Sequence, residues 1–187
     1  SEFATDVGVT YNVKESGITQ VTHTISLENL FSDLYATSYT FVLDNIEPSS
    51  VSVFEGTKAL PFTIKEEGDK VSITVNFPDA LVGKGKIRNF SVVFQESGFA
   101  VRTGEIWEIS IPRLSSDENF RSYSVTLLVP TIFGNEAYVS PRPNDLKVEG
   151  GNYIYSFTKE SVEKTGVTAG FGAFQIFSFT LNYHLEN

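Results

Sequence analysis

The chain has 187 residues, of which 41% are hydrophobic, and this length can bury a sizeable core in one large domain or two small ones. Its net charge of −9 argues against binding to nucleic acid or to an anionic membrane, because both require a basic patch. No apolar run approaches the roughly 20 residues that span a bilayer, and the absence of cysteine removes disulfides and a thiol nucleophile.

Apolar and polar residues alternate at every second position through the first half of the chain, which predicts β-strands. The predicted strands lie at 7–13, 18–27, 37–43, 51–54 and 87–94, with a hairpin over 61–77 that turns at Gly68. His23 shares the apolar face of its strand with Val21 and Ile25. The stretch 26–36 has mixed periodicity and fits either a helix or a loop.

The second half of the chain continues the same pattern. Strands are predicted at 105–111 and 123–129, followed by a hairpin over 146–157 with its turn at Gly150–Gly151. A possible cap at Thr158 or Ser161 and a stop at Gly166 predict one short helix near 159–165. The chain then ends on a long alternating segment, which predicts a last strand over 176–185.

About a dozen strands at spacings of roughly 8–12 residues predict an all-β protein, a saddle-like β-sandwich of mostly antiparallel strands. Residues 1–3 read as a cloning scar, and the absence of methionine indicates that the natural start of the protein is missing. We expect 4–187 to form one module. The alternative is two β-subdomains, 4–98 and 99–187.

No constellation of residues indicates catalysis, so we expect no catalytic residue, metal or cofactor. The two histidines, His23 and His184, have no G-x-S-x-G segment beside them to supply an activated serine. Glu105 and Glu108 lie three apart on a strand and therefore face opposite sides. The acidic turns at 65–70 and 115–119 lack the spacing of an EF-hand, which favours solvated turns over calcium sites.

Four aromatic residues, Trp107, Tyr153, Tyr155 and Tyr183, could form a platform that stacks on a sugar ring. All four lie in register with apolar neighbours on their strands, which favours burial in the core.

Partner binding in a rigid β-scaffold is expected in the loops at its ends. The loop residues that we select for contact with a protein, peptide or glycan are Phe120, Arg121, Asn135, Tyr138 and Arg142. Arg142 is flanked by two prolines, and this stiff segment is expected to hold its charge outward, although an ordinary rigid turn is an equally good reading.

Several phrases together, "GEIWEISIP", "LLVPTIFG", "SPRP" and "GVTAGFGAFQIFSFTLNYHLEN", resemble the β-rich region that precedes a transglutaminase-like domain in exported bacterial membrane proteins. They resemble more distantly the lumenal region of ribophorin and the β-saddle of some aminopeptidases. The Cys-His-Asp chemistry of the transglutaminase-like family lies in its downstream domain. Because this chain has no cysteine, the resemblance assigns no catalytic residue to it.

The resemblance implies a non-catalytic, extracytoplasmic accessory module, periplasmic or at the cell surface, in a membrane-anchored parent protein. It would position the downstream domain of the same chain. The alternative hypothesis is a β-sandwich that binds a glycan or a peptide at a site of its own.

Overall fold

The computed structural model describes residues 1–114, 119–173, 180–182 and 184, and these residues form three β-sheets. The largest sheet has eight strands: β1 (Phe3–Val13), β2 (Thr19–Asn29), β4 (Ser49–Glu55), β5 (Lys58–Ala59), β8 (Ile87–Glu96), β11 (Ser122–Pro130), β13 (Asp145–Glu149) and β14 (Asn152–Thr158). A three-stranded sheet consists of β3 (Ser38–Asp44), β6 (Phe62–Glu67) and β7 (Lys70–Asn76). A four-stranded sheet consists of β9 (Ala100–Thr103), β10 (Ile106–Ile111), β12 (Glu136–Ser140) and β15 (Val167–Phe171).

The strand order of the large sheet is β13-β14-β11-β1-β2-β8-β4-β5. β1 and β11 run parallel, with Asp6 opposite Ser122, and the other pairs of strands described in the three sheets are antiparallel. The described helical residues are a 3₁₀ turn at Thr131–Phe133 and one short helix, α1, at Lys159–Val162. The predictions of an all-β fold and of a single short helix are therefore confirmed.

The two smaller sheets cover one face of the eight-stranded sheet. Five strands of the large sheet each place at least one side chain on this covered face that is at most 2% exposed: Val9, Val21, Val92, Leu127 and Tyr155. The opposite face carries polar residues such as those at alternate positions of β2. Alternation along each strand thus produces a sandwich with the core between the layers.

Aromatic side chains join the layers. On the four-stranded sheet, Phe171 stacks on Tyr153 of β14 with ring centroids 5.5 Å apart. On the same sheet, Trp107 stacks almost parallel on Phe133, at 4.0 Å and 2°. The Trp107 ring also covers Gly17, where an added Cβ would lie 2.9 Å from it. Trp107 is therefore part of the core packing, as its register on the strand predicts.

A buried arginine closes one end of the covered face. Arg88 is 6% exposed and lies over the ring of Phe77, 4.5 Å from the ring centroid. Its Nη1 donates to Oε2 of Glu55 at 2.8 Å and to Oδ1 of Asp79 at 3.3 Å. The guanidinium keeps its charge in the core because both carboxylates and the ring compensate for lost hydration.

One glycine is required where the chain passes close to β10. Gly166 has φ +67°, and a Cβ at this position would lie 2.2 Å from the carbonyl oxygen of Ile111. Gly150 also has positive φ, +60°, in the β13–β14 turn, but nothing lies within 4 Å of its added Cβ. Of these two glycines, Gly166 alone combines the left-handed backbone with a close approach of another strand.

Both predicted hairpins are present, at β6–β7 and at β13–β14. Of the stretch 26–36, residues 26–29 belong to β2, and residues 30–36 contain no helix or strand, so the loop reading holds only for 30–36. The large sheet takes strands from both sides of residue 98, while the choice between one domain and two stays a prediction. The predicted last strand over 176–185 lies mostly outside the described residues. Within the described part of the chain, no helix has the length and apolar character needed to cross a membrane.

Candidate functional site

A cavity of about 550 Å³ opens between the three-stranded sheet and residues 112–114, against the covered face of the large sheet. Its floor comes from β1, β2, β8 and β11, and one wall comes from β3 and residues 44–46. The other wall comes from residues 112–114, which follow β10, and from Phe120. We call this space the central cavity. The large sheet, the three-stranded sheet and the segment that follows β10 contribute to it, so it collects residues that are far apart in the sequence.

The lining of the central cavity contains six aromatic rings of phenylalanine and tyrosine. The six that line it are Tyr11, Tyr39, Phe41, Phe94, Phe120 and Tyr123. Phe120 and Tyr123 stack nearly parallel, with ring centroids 5.7 Å apart and an angle of 9°. A concave lining that combines aromatic rings with polar groups is typical of sites for small molecules and single side chains.

His23 contributes the imidazole in this lining. It lies in the middle of β2, opposite Val9 of β1 and Val92 of β8. Its ring packs between those of Phe41, at 5.2 Å and 26°, and Phe94, at 5.9 Å and 27°. Burial lowers the pKa of His23 to about 4, so the imidazole is neutral at pH 7.

Charged residues lie at the mouth of the central cavity. Lys70 Nζ is 3.9 Å from Oδ1 of Asp44, and both side chains are largely exposed. Asp69 lies beside them, and Arg113 lies on the opposite wall; both are exposed. The two basic and two acidic groups at the mouth nearly cancel in charge. Among the described lining residues, the interior of the cavity carries no charged side chain. Such a site favours an uncharged group.

Two of the five selected loop residues, Phe120 and Arg121, contact the large sheet or the central cavity. Phe120 lies in the lining of the central cavity. Arg121 instead joins strands of the large sheet: its Nε donates to Oδ1 of Asp6 at 3.1 Å and its Nη1 to Oε2 of Glu28 at 2.5 Å. The Arg121 guanidinium, followed by the Ser122 hydroxyl, holds the pKa of Asp6 below its usual range. This pairing gives Arg121 a role in joining β1, β2 and β11.

The other three selected residues lie on or beside β12, at an edge of the four-stranded sheet. Tyr138 is 44% exposed and covers Gly170, where an added Cβ would lie 2.5 Å from the ring. Asn135 is exposed, and its carbonyl oxygen accepts the amide hydrogen of Gly172 at 3.0 Å. Arg142 is exposed in the β12–β13 connection. Their role in partner binding stays a prediction.

The tyrosines considered as a sugar platform face the core. Tyr155 is fully buried, and its hydroxyl donates to Oε2 of Glu136 at 2.6 Å; burial and this carboxylate raise the pKa of Tyr155. The Tyr153 hydroxyl donates to the carbonyl oxygen of Gly134 at 3.1 Å. Tyr183 lies outside the described residues. The described residues of the suggested sugar platform therefore pack inside the protein, and both tyrosines form internal hydrogen bonds.

The first acidic turn, at 65–70, includes a surface ion pair between Lys65 and Glu67 with a distance of 2.5 Å. Most of the second turn, 115–118, lies outside the described residues. Among the residues with a described position, no three histidine or acidic side chains form a group that could hold a metal ion.

Sequence reasoning did not identify the central cavity. Alternation placed His23 on the apolar face of its strand, which is correct, but nothing in the sequence shows which residues cover that face. A polar residue at an inward position of a strand was the one available signal. Phe120, selected as a loop residue, does line the cavity, but its position in the sequence does not indicate that a cavity exists.

Comparison with known proteins gives similarities of fold only. No protein-family model and no curated protein matches the chain. A putative nutrient binding protein from Legionella pneumophila has a TM-score of 0.51 and 8% sequence identity, over 91% of this chain and 66% of its own. This similarity shows a shared β architecture.

Two peptidases score lower. An M1 zinc metallopeptidase from Deinococcus radiodurans has a TM-score of 0.48 and 9% identity, over 91% of this chain and 41% of its own. Aminopeptidase A from Legionella pneumophila has a TM-score of 0.46 and 10% identity, over 92% of this chain and 21% of its own. This chain thus spans about two fifths of the Deinococcus protein. The transglutaminase-like part of the sequence resemblance stays a prediction.

Proposed function

We propose that this chain is a non-catalytic binding module that acts through the central cavity. The observation that carries the proposal is the cavity itself, about 550 Å³ of space between the large sheet and the three-stranded sheet, with six aromatic rings in its lining. Packed β-sandwich cores normally leave no void of this size, because side chains interdigitate across the layers. A lining that stays open in an otherwise well-packed core supports a binding role.

The chemistry of the cavity supports binding better than catalysis. A histidine acts as a base when it can reach a hydroxyl, thiol or water and when its pKa lies near the working pH. His23 is held between two phenylalanine rings, and its low pKa makes it a weak base. The described cavity lining contains no serine, threonine or cysteine that the imidazole could activate.

The setting that we propose is a larger extracytoplasmic protein in which this module precedes a transglutaminase-like domain. The sequence phrases described above support it, and Asn135, Tyr138 and Arg142 are the proposed contacts for a neighbouring domain or a protein partner. The reading frame after residue 187 tests the setting. A following segment with the Cys, His and Asp of a transglutaminase-like domain would support it, and a stop codon or an unrelated domain would contradict it.

The binding function is tested by titrating the ¹⁵N-labelled protein with a library of small aromatic, aliphatic and glycan fragments. We expect aromatic fragments to shift the amide signals of β2, β3 and β8 around the cavity. A fragment at 100 times its Kd should also stabilise the fold by about 2.7 kcal/mol. A library in which only glycans bind, or in which the shifts map to other strands, would contradict the proposal.

A further inference from the structure

His23 is the one lining residue of the central cavity whose presence the core does not explain. Its cross-strand neighbours, Val9 and Val92, are 1% and 0% exposed, so the position calls for an apolar side chain. The imidazole nitrogens form no hydrogen bond with any residue in the described part of the chain. The imidazole nitrogens are open to the cavity rather than enclosed, so a group that fills the cavity without hydrogen-bonding to them would displace water from them unfavourably.

A hydrogen-bond partner for the imidazole can come from the central cavity. His23 is partly accessible, and it lines the central cavity. A neutral imidazole presents one N–H donor and one acceptor nitrogen. A molecule in the cavity can therefore complete the hydrogen bonding that the protein leaves open.

We propose that the central cavity binds a flat, uncharged aromatic ring that carries one hydroxyl or N–H group, and that His23 recognises this polar group. The inference rests on the proposed function, because it names the ligand of the same cavity. A phenol or an indole has this chemistry. The ring would lie among aromatic side chains, whose preferred offset and edge contacts it can share.

The charges around the site fit an uncharged ligand. Lys70 and Arg113 lie at the mouth together with Asp44 and Asp69, and the described floor carries no charged side chain. A carboxylate carried into this floor would lose its hydration without gaining a cationic partner. A ring without any polar group would leave the imidazole unsatisfied, so it should bind more weakly than a phenol of similar size.

The test uses three probes of similar shape: p-cresol, toluene and 4-methylbenzoate. Dissociation constants are measured for the wild-type chain by ¹⁵N chemical-shift titration at pH 7. We expect p-cresol to bind about tenfold more tightly than toluene, the factor that one hydrogen bond near the upper end of the usual range supplies. We expect 4-methylbenzoate to bind more weakly than either.

Two variants and one matched control assign the selectivity. His23→Phe keeps the ring stacking and removes the hydrogen bond, so it should bind p-cresol and toluene equally. His184→Phe changes the other, exposed histidine and should keep the wild-type preference. Leu114→Trp adds bulk to one wall of the cavity and should weaken both probes together. N-acetyl-L-tyrosine amide distinguishes a tyrosine side chain from a free phenol: tighter binding than p-cresol points to a peptide, and weaker binding to a small molecule.

The outcomes separate this inference from the proposed function. A preference for p-cresol that survives in His23→Phe would overturn the role of His23 while leaving a binding cavity. Absence of binding by all probes, with no effect of Leu114→Trp, would overturn both. If His23→Phe fails to fold, the imidazole ¹⁵N shifts of the wild-type protein decide the question: they should move with p-cresol and not with toluene, and equal responses would overturn the inference.

Discussion

The low pKa of His23 predicts that acid destabilises the fold through this one residue. In the unfolded chain a histidine titrates near its ordinary pKa of 6.5, whereas burial lowers the folded value to about 4. Above pH 6.5 both states are neutral and the residue contributes no pH dependence. As the pH falls from 6.5 to 4, the unfolded state takes up a proton that the folded state does not, so stability falls.

The size of the effect follows from the difference between the two pKa values. One pKa unit corresponds to 1.36 kcal/mol, so the loss from this residue should reach about 3 kcal/mol near pH 4. This is a large share of the roughly 5–15 kcal/mol that stabilises an ordinary domain. Carboxylates with lowered pKa values, such as Asp6, also lose stabilisation in acid, so the wild-type curve alone cannot assign the loss to His23.

The assay is urea unfolding at pH 7, 5.5 and 4 for the wild-type chain and for His23→Phe, with Trp107 fluorescence and far-UV circular dichroism as probes. Because both chains share the same carboxylates, their contributions cancel in the difference between the two free energies of unfolding. That difference should shift by about 3 kcal/mol in favour of His23→Phe between pH 7 and pH 4. A difference that does not change with pH would show that the imidazole is hydrated in the folded protein, and the reasoning would fail.

Three further predictions concern packing. Gly166→Ala should cost about 3 kcal/mol or more because the new methyl group meets a backbone oxygen. Gly150→Ala, with the same positive φ but open space around it, should cost about 1 kcal/mol, and equal costs of the two variants in thermal unfolding would contradict the close approach. Arg88→Ala should cost about 3 kcal/mol in urea unfolding at 0.15 M salt, and Arg121→Ala, whose side chain is 48% exposed, should cost clearly less; the reverse order would refute the buried network. Trp107→Ala should cost about 3 kcal/mol, and an unchanged melting temperature would place its ring outside the core.

The local part of this fold is predictable from the sequence because alternation is a property of each strand by itself. Val21, His23 and Ile25 are on the covered face where their spacing puts them, and the Gly150–Gly151 turn forms the hairpin that its residues favour. The same reasoning gave Trp107 its place in the core.

The non-local part is not predictable in this way. Arg121 looked like a free loop cation because its partners, Asp6 and Glu28, lie 115 and 93 residues away in the chain. The central cavity depends on how two small sheets sit side by side on a third, and no periodicity in the sequence encodes that spacing. A polar residue at an inward position, such as His23, is the only trace that such a site leaves in one sequence.

The parallel pairing of β1 with β11 has a consequence for how the protein is made. β1 occupies the centre of the large sheet, yet Asp6 meets Ser122 across 116 residues of chain. A nascent chain that has just emerged from the ribosome can form β1–β2 but must leave one edge of β1 open until β11 has been synthesised. Contacts of such long range slow folding and leave an unpaired strand edge available to other chains. This edge of β1 is therefore covered only after residue 130 has left the ribosome.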